Sequence, residues 1–529
     1  MSTVEKQFVE SEYDGVRFPQ ERTAGVLLGL TWDQLIVVGF GAVFLLVSLF
    51  RGGWAILFGV LVLAVCTAFG VVRFRGRSLP AWVAVGLRYA KRGAGDQLEY
   101  RQGLSPAHEL KLLDGEPQVR ALEVEQKATR TPKGAIKPGN PTRFRLPGGA
   151  SELKAYALPN GAGFVWDPHE REAVICAKVI TSRGFSLESF DAQEERSLSW
   201  GAALAGLSRM PGVVRVQASD QTTLISGSAV QGFYESKQEQ SGMNAAEVDP
   251  FLDQAFKELM KEAQSMPVHE QWLSVVVSPA QIGSRLKGMG GGLPALMEYT
   301  LKLMTTIEGH LPRSGTRVAA WHSPRSLAAL SRAAFDPDSS VTVTMTGEDG
   351  ELRGTAPASA GPMAVDVHPG YLEMDGYVHR TFKIAELPQE TARLGFLDEL
   401  VFSGDFRHTV TVVMSPVDRG KAMRATRGRR SSWESDSRTL KAMDRPPSPE
   451  HEQELVDIMR EQDELMRRHA SLDMVVLVTV TARSLSELEA ASNDVVTDAI
   501  ATGCELRPLW LEQDSAFMAA ALPFGRIKL

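Results

Sequence analysis

The chain has 529 residues, with 57 Lys and Arg against 64 Asp and Glu, a formal net charge of −7, and 43% hydrophobic residues. That balance excludes a many-span transporter, and the acidic total excludes a protein that binds nucleic acid over its whole surface. At about 100–200 residues per domain, there is room for two to four domains beyond the N-terminal region.

Residues 1–30 read as a short N-terminal segment. Leu35–Phe50 and Trp54–Val72 hold no charged residue and are separated by Arg51-Gly52-Gly53. Each run is close to the roughly 20 residues that cross about 30 Å of hydrocarbon as a helix, so 31–73 is expected to form a two-helix transmembrane hairpin. The alternative, a buried helical hairpin in a globular core, rarely reaches this length without a charge. Gly25 and Gly29 have the spacing of a small-residue helix contact, and with Trp32, Gln34 and Trp54 they are the expected packing residues. Arg73, Arg75, Arg77, Arg88, Lys91 and Arg92 follow the second run, Arg17 and Arg22 precede the first, and the turn offers only Arg51. Positive charge on both flanks places both termini in the cytoplasm. Ser78 as N-cap and Pro80 in the first turn open a helix, and 78–100 is expected to lie at the interface with Trp82 and Tyr89 at headgroup depth.

Residues 101–150, dense in Pro, Gly and charge, read as a linker. Beyond it, strand-length apolar runs alternate with amphipathic helical ones. Strands are expected at Glu172–Thr181, Val213–Ala218, His269–Ser278 and Arg317–His322. Helices are expected at Asp191–Met210, Leu252–Ala263 and Leu293–His310, with another from Pro324. The order recurs with strands Tyr377–Ala385, Arg407–Met414, Asp473–Ala482 and Cys504–Trp510, and helices Thr391–Phe402, Pro449–Ala470 and Ser484–Thr502. The fold expected is α+β: the hairpin, then two tandem ferredoxin-like lobes at 151–350 and 360–529. The second lobe carries a basic insertion at 417–445, with nine Lys and Arg against four acids. A solvated loop is the plain reading. Arg424, Arg427, Arg429 and Arg430 are otherwise candidate contacts for an anionic partner, whether lipid, protein or the phosphates of nucleic acid.

No catalytic signature emerges. A phosphate-binding loop needs Gly-x4-Gly-Lys-Ser/Thr, but Ala422 follows Gly420-Lys421 and Ser415 stands where the first glycine belongs. Gly288–Gly292 opens a helix as a glycine turn without a partnering Lys or metal-binding acid. The histidines have no zinc spacing, and Cys66, Cys176 and Cys504 form no redox or metal pair. No cofactor, metal or enzymatic activity is expected.

Two stretches resemble known families. Arg17-Phe18-Pro19-Gln20-Glu21, then Gly29-Leu30-Thr31-Trp32-Asp33-Gln34-Leu35 and the hairpin, resemble the PrgI family over about the first 100 residues. These are two-span inner-membrane subunits of type IV secretion and conjugation machines, and most stop soon after the hairpin. Gly503-Cys504-Glu505-Leu506-Arg507-Pro508-Leu509, Gln513, and Ala521-Leu522-Pro523-Phe524-Gly525 resemble the end of the non-motor N-terminal domain of VirB/TraC-type conjugation ATPases. That likeness spans residues 360–529 in element order. Together they imply an inner-membrane scaffold subunit of a bacterial machine that transfers DNA or protein. It would be oligomeric in the assembly, beside other inner-membrane secretion subunits, and would dock a separately encoded P-loop ATPase. The resemblance makes the tail the docking surface, through Trp510, Gln513, Phe517, Pro523 and Phe524, with core packing as the alternative. A membrane-anchored ligand sensor and a membrane-tethered hydrolase are the competing readings.

Overall fold

The computed structural model describes residues 32–102, 127–132, 135–181, 188–224, 249–262, 267–339, 354–388, 395–442, 446–447, 449–466 and 471–527. Two apolar helices come first, α1 (Trp32–Arg51) and α2 (Trp54–Val71), both long and apolar enough to cross a membrane. The chain reverses at Gly52 and Gly53, which take φ of 65° and 56°. That left-handed backbone is where a residue without Cβ is favoured. The helices touch through small residues. A Cβ on Gly41 would fall 2.8 Å from Cys66 Cβ, and one on Gly59 would collide with the Ser48 hydroxyl. Gly41 and Ser48 are seven apart, as are Gly59 and Cys66, so each helix presents one small-residue stripe to the other. Gln34 is buried, whereas Ile36, Phe40, Leu57, Leu61 and Trp54 point outward, Trp54 at 86% exposure. Trp32 opens α1. Gly25 and Gly29 lie outside the described residues.

A two-residue ribbon, β1 (Arg73–Phe74) and β2 (Arg77–Ser78), turns the chain into α3 (Leu79–Ala94), with Pro80 in its first turn as expected. The strand β3 (Glu99–Arg101) joins the main sheet. The region expected to be a linker is in part core. From residue 127 onward come β4 (Thr129–Arg130), β5 (Ile136–Lys137) and β6 (Thr142–Arg143), and Phe144, Leu146, Leu153 and Ala150 are buried. The Pro- and Gly-rich composition here shapes tight turns rather than a tether.

The rest is one large antiparallel sheet of mixed α/β order. The first half contributes β7 (Lys154–Ala157), β8 (Gly163–Asp167), β9 (Glu172–Thr181), α4 (Phe190–Ser208), β10 (Val213–Leu224), α5 (Pro250–Glu262) and β11 (Pro267–Val277). It continues with α6 (Gly283–Gly288), α7 (Gly292–His310), β12 (Thr316–Trp321) and α8 (Pro324–Phe335). The second half contributes β13 (Ala364–Val367), β14 (Leu372–Met374), β15 (Tyr377–Glu386), α9 (Asp398–Val401), β16 (Arg407–Val417), α10 (Arg419–Ala442) and α11 (Pro449–Met466). It ends with β17 (Ser471–Ala482), α12 (Leu485–Ala501), β18 (Glu505–Pro508) and α13 (Gln513–Ala520).

In space the first half runs β12-β9-β11-β10 and the second β18-β15-β17-β16. The same order recurs, first strand flanked by fourth and third, second strand at the far end. The two second strands then pair with each other, from Val216↔Met414 to Thr222↔His408. The halves are therefore not two separate lobes in tandem. They are fused edge to edge, which removes the open edge each half would otherwise present.

Alternation along the strands builds two faces. Ile175, Leu273 and Val275 point toward α4 and α7, while Val174, Cys176, Trp272 and Val276 point to the opposite face, under α8. In the second half Val410, Val478 and Val480 pack on α12. The opposite face near the junction is buried but polar: Gln217, Ser219, Ser274, Thr411, Thr381 and Thr479 are all below 5% exposed. Ser219 and Thr411 hydroxyls meet at 2.8 Å across the β10–β16 pair. Something with free backbone groups must cover such a seam, and the C-terminal tail does.

Candidate functional site

The tail begins at β18. Gln513 is fully buried, its Oε1 accepting from Thr381 N–H at 2.8 Å and its Nε2 donating to the carbonyls of Thr381 and Leu509, both at 3.1 Å. It thus caps the stretch of β15 backbone that β18 leaves open. Phe517 packs on Phe335 and His379, and Phe524 on Phe144. Beyond α13 the chain crosses the polar seam. Thr411 Oγ1 donates to Ala520 O, Ser274 Oγ to Pro523 O at 2.8 Å, and Gln217 brackets Leu522 O and Gly525 N at 2.9 and 2.7 Å.

These contacts correct the expected docking surface. Gln513, Phe517, Pro523 and Phe524 are buried, and the aromatic residues are core. Their types fit a core and an interface equally well, because both bury large apolar side chains. Trp510 is half-buried. It packs on Gly370, where a Cβ would fall 2.6 Å from the indole, and the Arg75 guanidinium lies 4.6 Å above its ring.

That arginine belongs to a cluster the sequence did not announce. Arg77 Nη1 donates to Glu512 Oε2 at 2.7 Å and Arg88 Nη2 to Glu512 Oε1 at 3.2 Å. Arg92 grips Asp514 with both terminal nitrogens. Tyr89 Oη donates to Val367 O at 3.1 Å, and partial burial raises its pKa above the ordinary value, so it stays a donor. Trp82 Nε1 donates to Phe74 O at 2.8 Å. The two aromatic residues expected at headgroup depth are thus tied to protein carbonyls.

The pattern Glu512-Gln513-Asp514 at the start of α13 explains the arrangement. The central side chain turns into the sheet, and the flanking acids turn out toward α3. The Glu512 carboxylate is only 10% exposed, so removing its partners would leave a poorly hydrated charge. Charged hydrogen bonds of this kind contribute about 1.5–3 kcal/mol each. The basic flank that follows the second apolar helix is therefore clamped to the C-terminal segment. A cavity of about 600 Å³ adjoins the clamp, lined by Leu98, Tyr100, Val367, Met374, Phe517 and Met518, with Arg92 and Asp514 at its rim.

The basic insertion is a helix rather than a loop, α10 packed antiparallel on α11. Arg429 pairs with Glu461, and Arg430 with Glu434 and Gln462, so these two are satisfied within the hairpin. Arg424 and Arg427 are exposed. The glycine turn before α7 is spent on structure: Gly290, Gly291 and Gly292 all have positive φ, and Gly291 N–H closes the preceding helix on Leu286 O at 2.7 Å.

One histidine cluster bears on the hydrolase reading. Asp220 Oδ1 and Thr222 Oγ1 both approach the same nitrogen, His269 Nδ1, at 2.8 and 3.3 Å. A relay needs acid and nucleophile on opposite ring nitrogens, and this cluster lacks that geometry. Among the described residues no three His, Cys, Asp or Glu side chains gather as a metal site requires. In comparisons with known proteins, no family model matches the chain and no curated protein matches it.

Proposed function

We propose that the chain is an inner-membrane scaffold subunit of a conjugative or type IV secretion-like machine. In this reading α1 and α2 span the membrane, both termini are cytoplasmic, and the body is two ferredoxin-like units fused through their second strands. The body holds a separately encoded P-loop ATPase at the membrane, next to other inner-membrane subunits. The observation that carries the reading is the clamp: Arg77, Arg88 and Arg92, directly after the second apolar helix, seize Glu512 and Asp514. A flexible tether would suffice to localise an independent domain. A half-buried ionic clamp instead fixes the orientation of the body relative to the hairpin, which suits a scaffold that must present one face to a motor. Because Phe517 and Phe524 are core, the motor contact belongs to an exterior surface rather than to the tail.

The test is affinity purification of the tagged chain from solubilised membranes of the cell that encodes it. The chain should stay in the carbonate-washed membrane pellet and bring down a P-loop ATPase. Recovery in the soluble fraction, or a membrane complex without an ATPase, overturns the reading. A reporter active only outside the cytoplasm, placed after Leu529, should stay silent.

A second reading, a membrane-anchored ligand sensor, is favoured by the cavity of about 600 Å³ beside the clamp. Its size is within the range of small-molecule pockets. A small molecule retained through native purification and lost on Met374→Trp would favour the sensor.

A further inference from the structure

We infer that the α10–α11 hairpin is a self-association arm whose partner is the same hairpin of a second copy. α10 carries eight Lys and Arg against Glu434 and Asp436, a net of +6, while α11 carries seven Asp and Glu against Arg460 alone, a net of −6. The seam between them is built mostly from other groups. Ala422, Thr426, Ile458 and Leu465 are buried there, and Trp433 stacks on His451 with ring centres 4.8 Å apart. Arg429 with Glu461 joins opposite charges across the two helices as a close pair.

Each helix also carries charge on an outward surface. Arg424 and Arg427, then Arg438 and Lys441 eleven residues further on, are all exposed. Over 17 residues they line about 25 Å of one face. On α11, Glu452 is exposed and Asp457 is half-buried, beside Met459 at 45% exposure. Ala425 and Gly428 on α10 supply a shallow apolar surface; a Cβ on Gly428 would meet nothing within 4 Å. One surface is thus basic with a smooth patch, and the other is acidic with a protruding methionine.

Charge complementarity selects the occupant. A nucleic acid laid on α10 would run within about 10 Å of the acidic α11, inside a Debye length, so each phosphate gained would also be repelled. The chain as a whole adds further negative charge at −7. A second copy has no such conflict. Its α11 meets this α10 while its α10 covers this α11, so the four helices alternate in sign around a two-fold axis, an isologous contact that closes on itself. Long-range attraction sets partner choice and register, and the methionine contact supplies the desolvated centre.

The experiment is mass photometry of the full chain in detergent, with two charge-swapped variants. The parent should be dimeric. R424E/R427E, which sets acid against acid at the contact, and E452K/D457K, which sets base against base there, should each raise the dimer dissociation constant at least about tenfold while keeping parental circular dichroism. Mixed in equal amounts, the two variants should reassociate as heterodimers, because every contact is again opposite in sign. A monomeric parent overturns the inference, and so do variants that stay dimeric alone or folded variants that fail to reassociate. R424E/R427E that remains dimeric but loses binding to a single-stranded oligonucleotide or to anionic vesicles assigns the basic face to that ligand instead.

Discussion

Gln513 illustrates what a single side chain does here. Substituting Gln513→Ala leaves the buried N–H of Thr381 without its partner and removes the amide donor shared by the carbonyls of Thr381 and Leu509, and each such loss costs about 1–3 kcal/mol. Urea unfolding should show a drop of about 2–4 kcal/mol, comparable to the cost of about 3–5 kcal/mol expected for Phe517→Ala. The sequence marks this tail as dense in special residues, and that much was legible. It does not say whether they face inward, because the decisive partners, Thr381, Ser274 and Gln217, lie 132 to 308 residues away. A second residue-scale effect concerns pH. His379 is fully buried against Phe517 and Thr481, and burial lowers its pKa to about 3; His322, likewise buried, falls to about 4. The unfolded chain therefore binds protons that the folded chain refuses between about pH 6.5 and the folded values. Stability is complete above pH 6.5 and is lost as pH falls through that window. His379 alone should contribute a loss on the order of 3 kcal/mol by pH 4. Denaturation midpoints measured from pH 7 to 4 should fall steeply for the parent and less steeply for His379→Gln.

At the scale of elements, periodicity served well where one face meets the core and poorly where it does not. Glu172–Thr181 was legible to the residue, and the helix ending at His310 to within one residue at its start, because a strand or helix against a core repeats its apolar residues at a fixed interval. α10 was not. It is held by the Arg429–Glu461 pair, the Trp433–His451 stack and a narrow Ala–Thr seam, so charge dominates its sequence and reads as a solvated loop. The stretch from 127 to 150 failed for another reason: strands of two residues are too short to show any period. α3 was legible as a helix, but its docking was not, since an arginine reads alike whether it marks the cytoplasmic flank or grips a carboxylate. The clamp makes a prediction at this scale. E512Q/D514N keeps the size of both side chains and removes both negative charges, so α3 should detach while the sheet persists. Hydrogen exchange in residues 80–94 should quicken by about tenfold to a hundredfold, matching the loss of about 1.5–3 kcal/mol of local protection. Amides of β16 and β17 should exchange as before. Equal loss of protection in both regions would show that α3 is integral to the sheet rather than clamped onto it.

For the whole molecule, the central question is whether the two halves are separable. Their internal strand order repeats, and that repetition was legible as a recurring order of elements. The pairing of β10 with β16 was not, because an edge strand and an internal strand of similar composition look alike in sequence. Three connections argue against separation. The β10–β16 ladder runs from Val216↔Met414 to Thr222↔His408. Phe517, Leu522 and Phe524 of the second half complete the core beneath Trp272 and Val276 of the first. Gln217 and Ser274, fully buried, have tail carbonyls as acceptors. Residues 32–339 alone would therefore expose a strand edge, an apolar surface and unsatisfied polar groups together, and net stabilities of only about 5–15 kcal/mol do not survive such losses. Expressed separately in detergent, fragments 32–339 and 354–529 should each lack a cooperative thermal transition. Co-expressed, they should assemble and melt as one unit. Deleting Phe517–Leu529 from the intact chain should likewise abolish cooperative unfolding rather than merely expose a docking surface. A fragment 32–339 that melts cooperatively, with native amide protection across Val216–Thr222, would show that the first half is a domain in its own right and that the shared sheet is an adhesion between two finished folds.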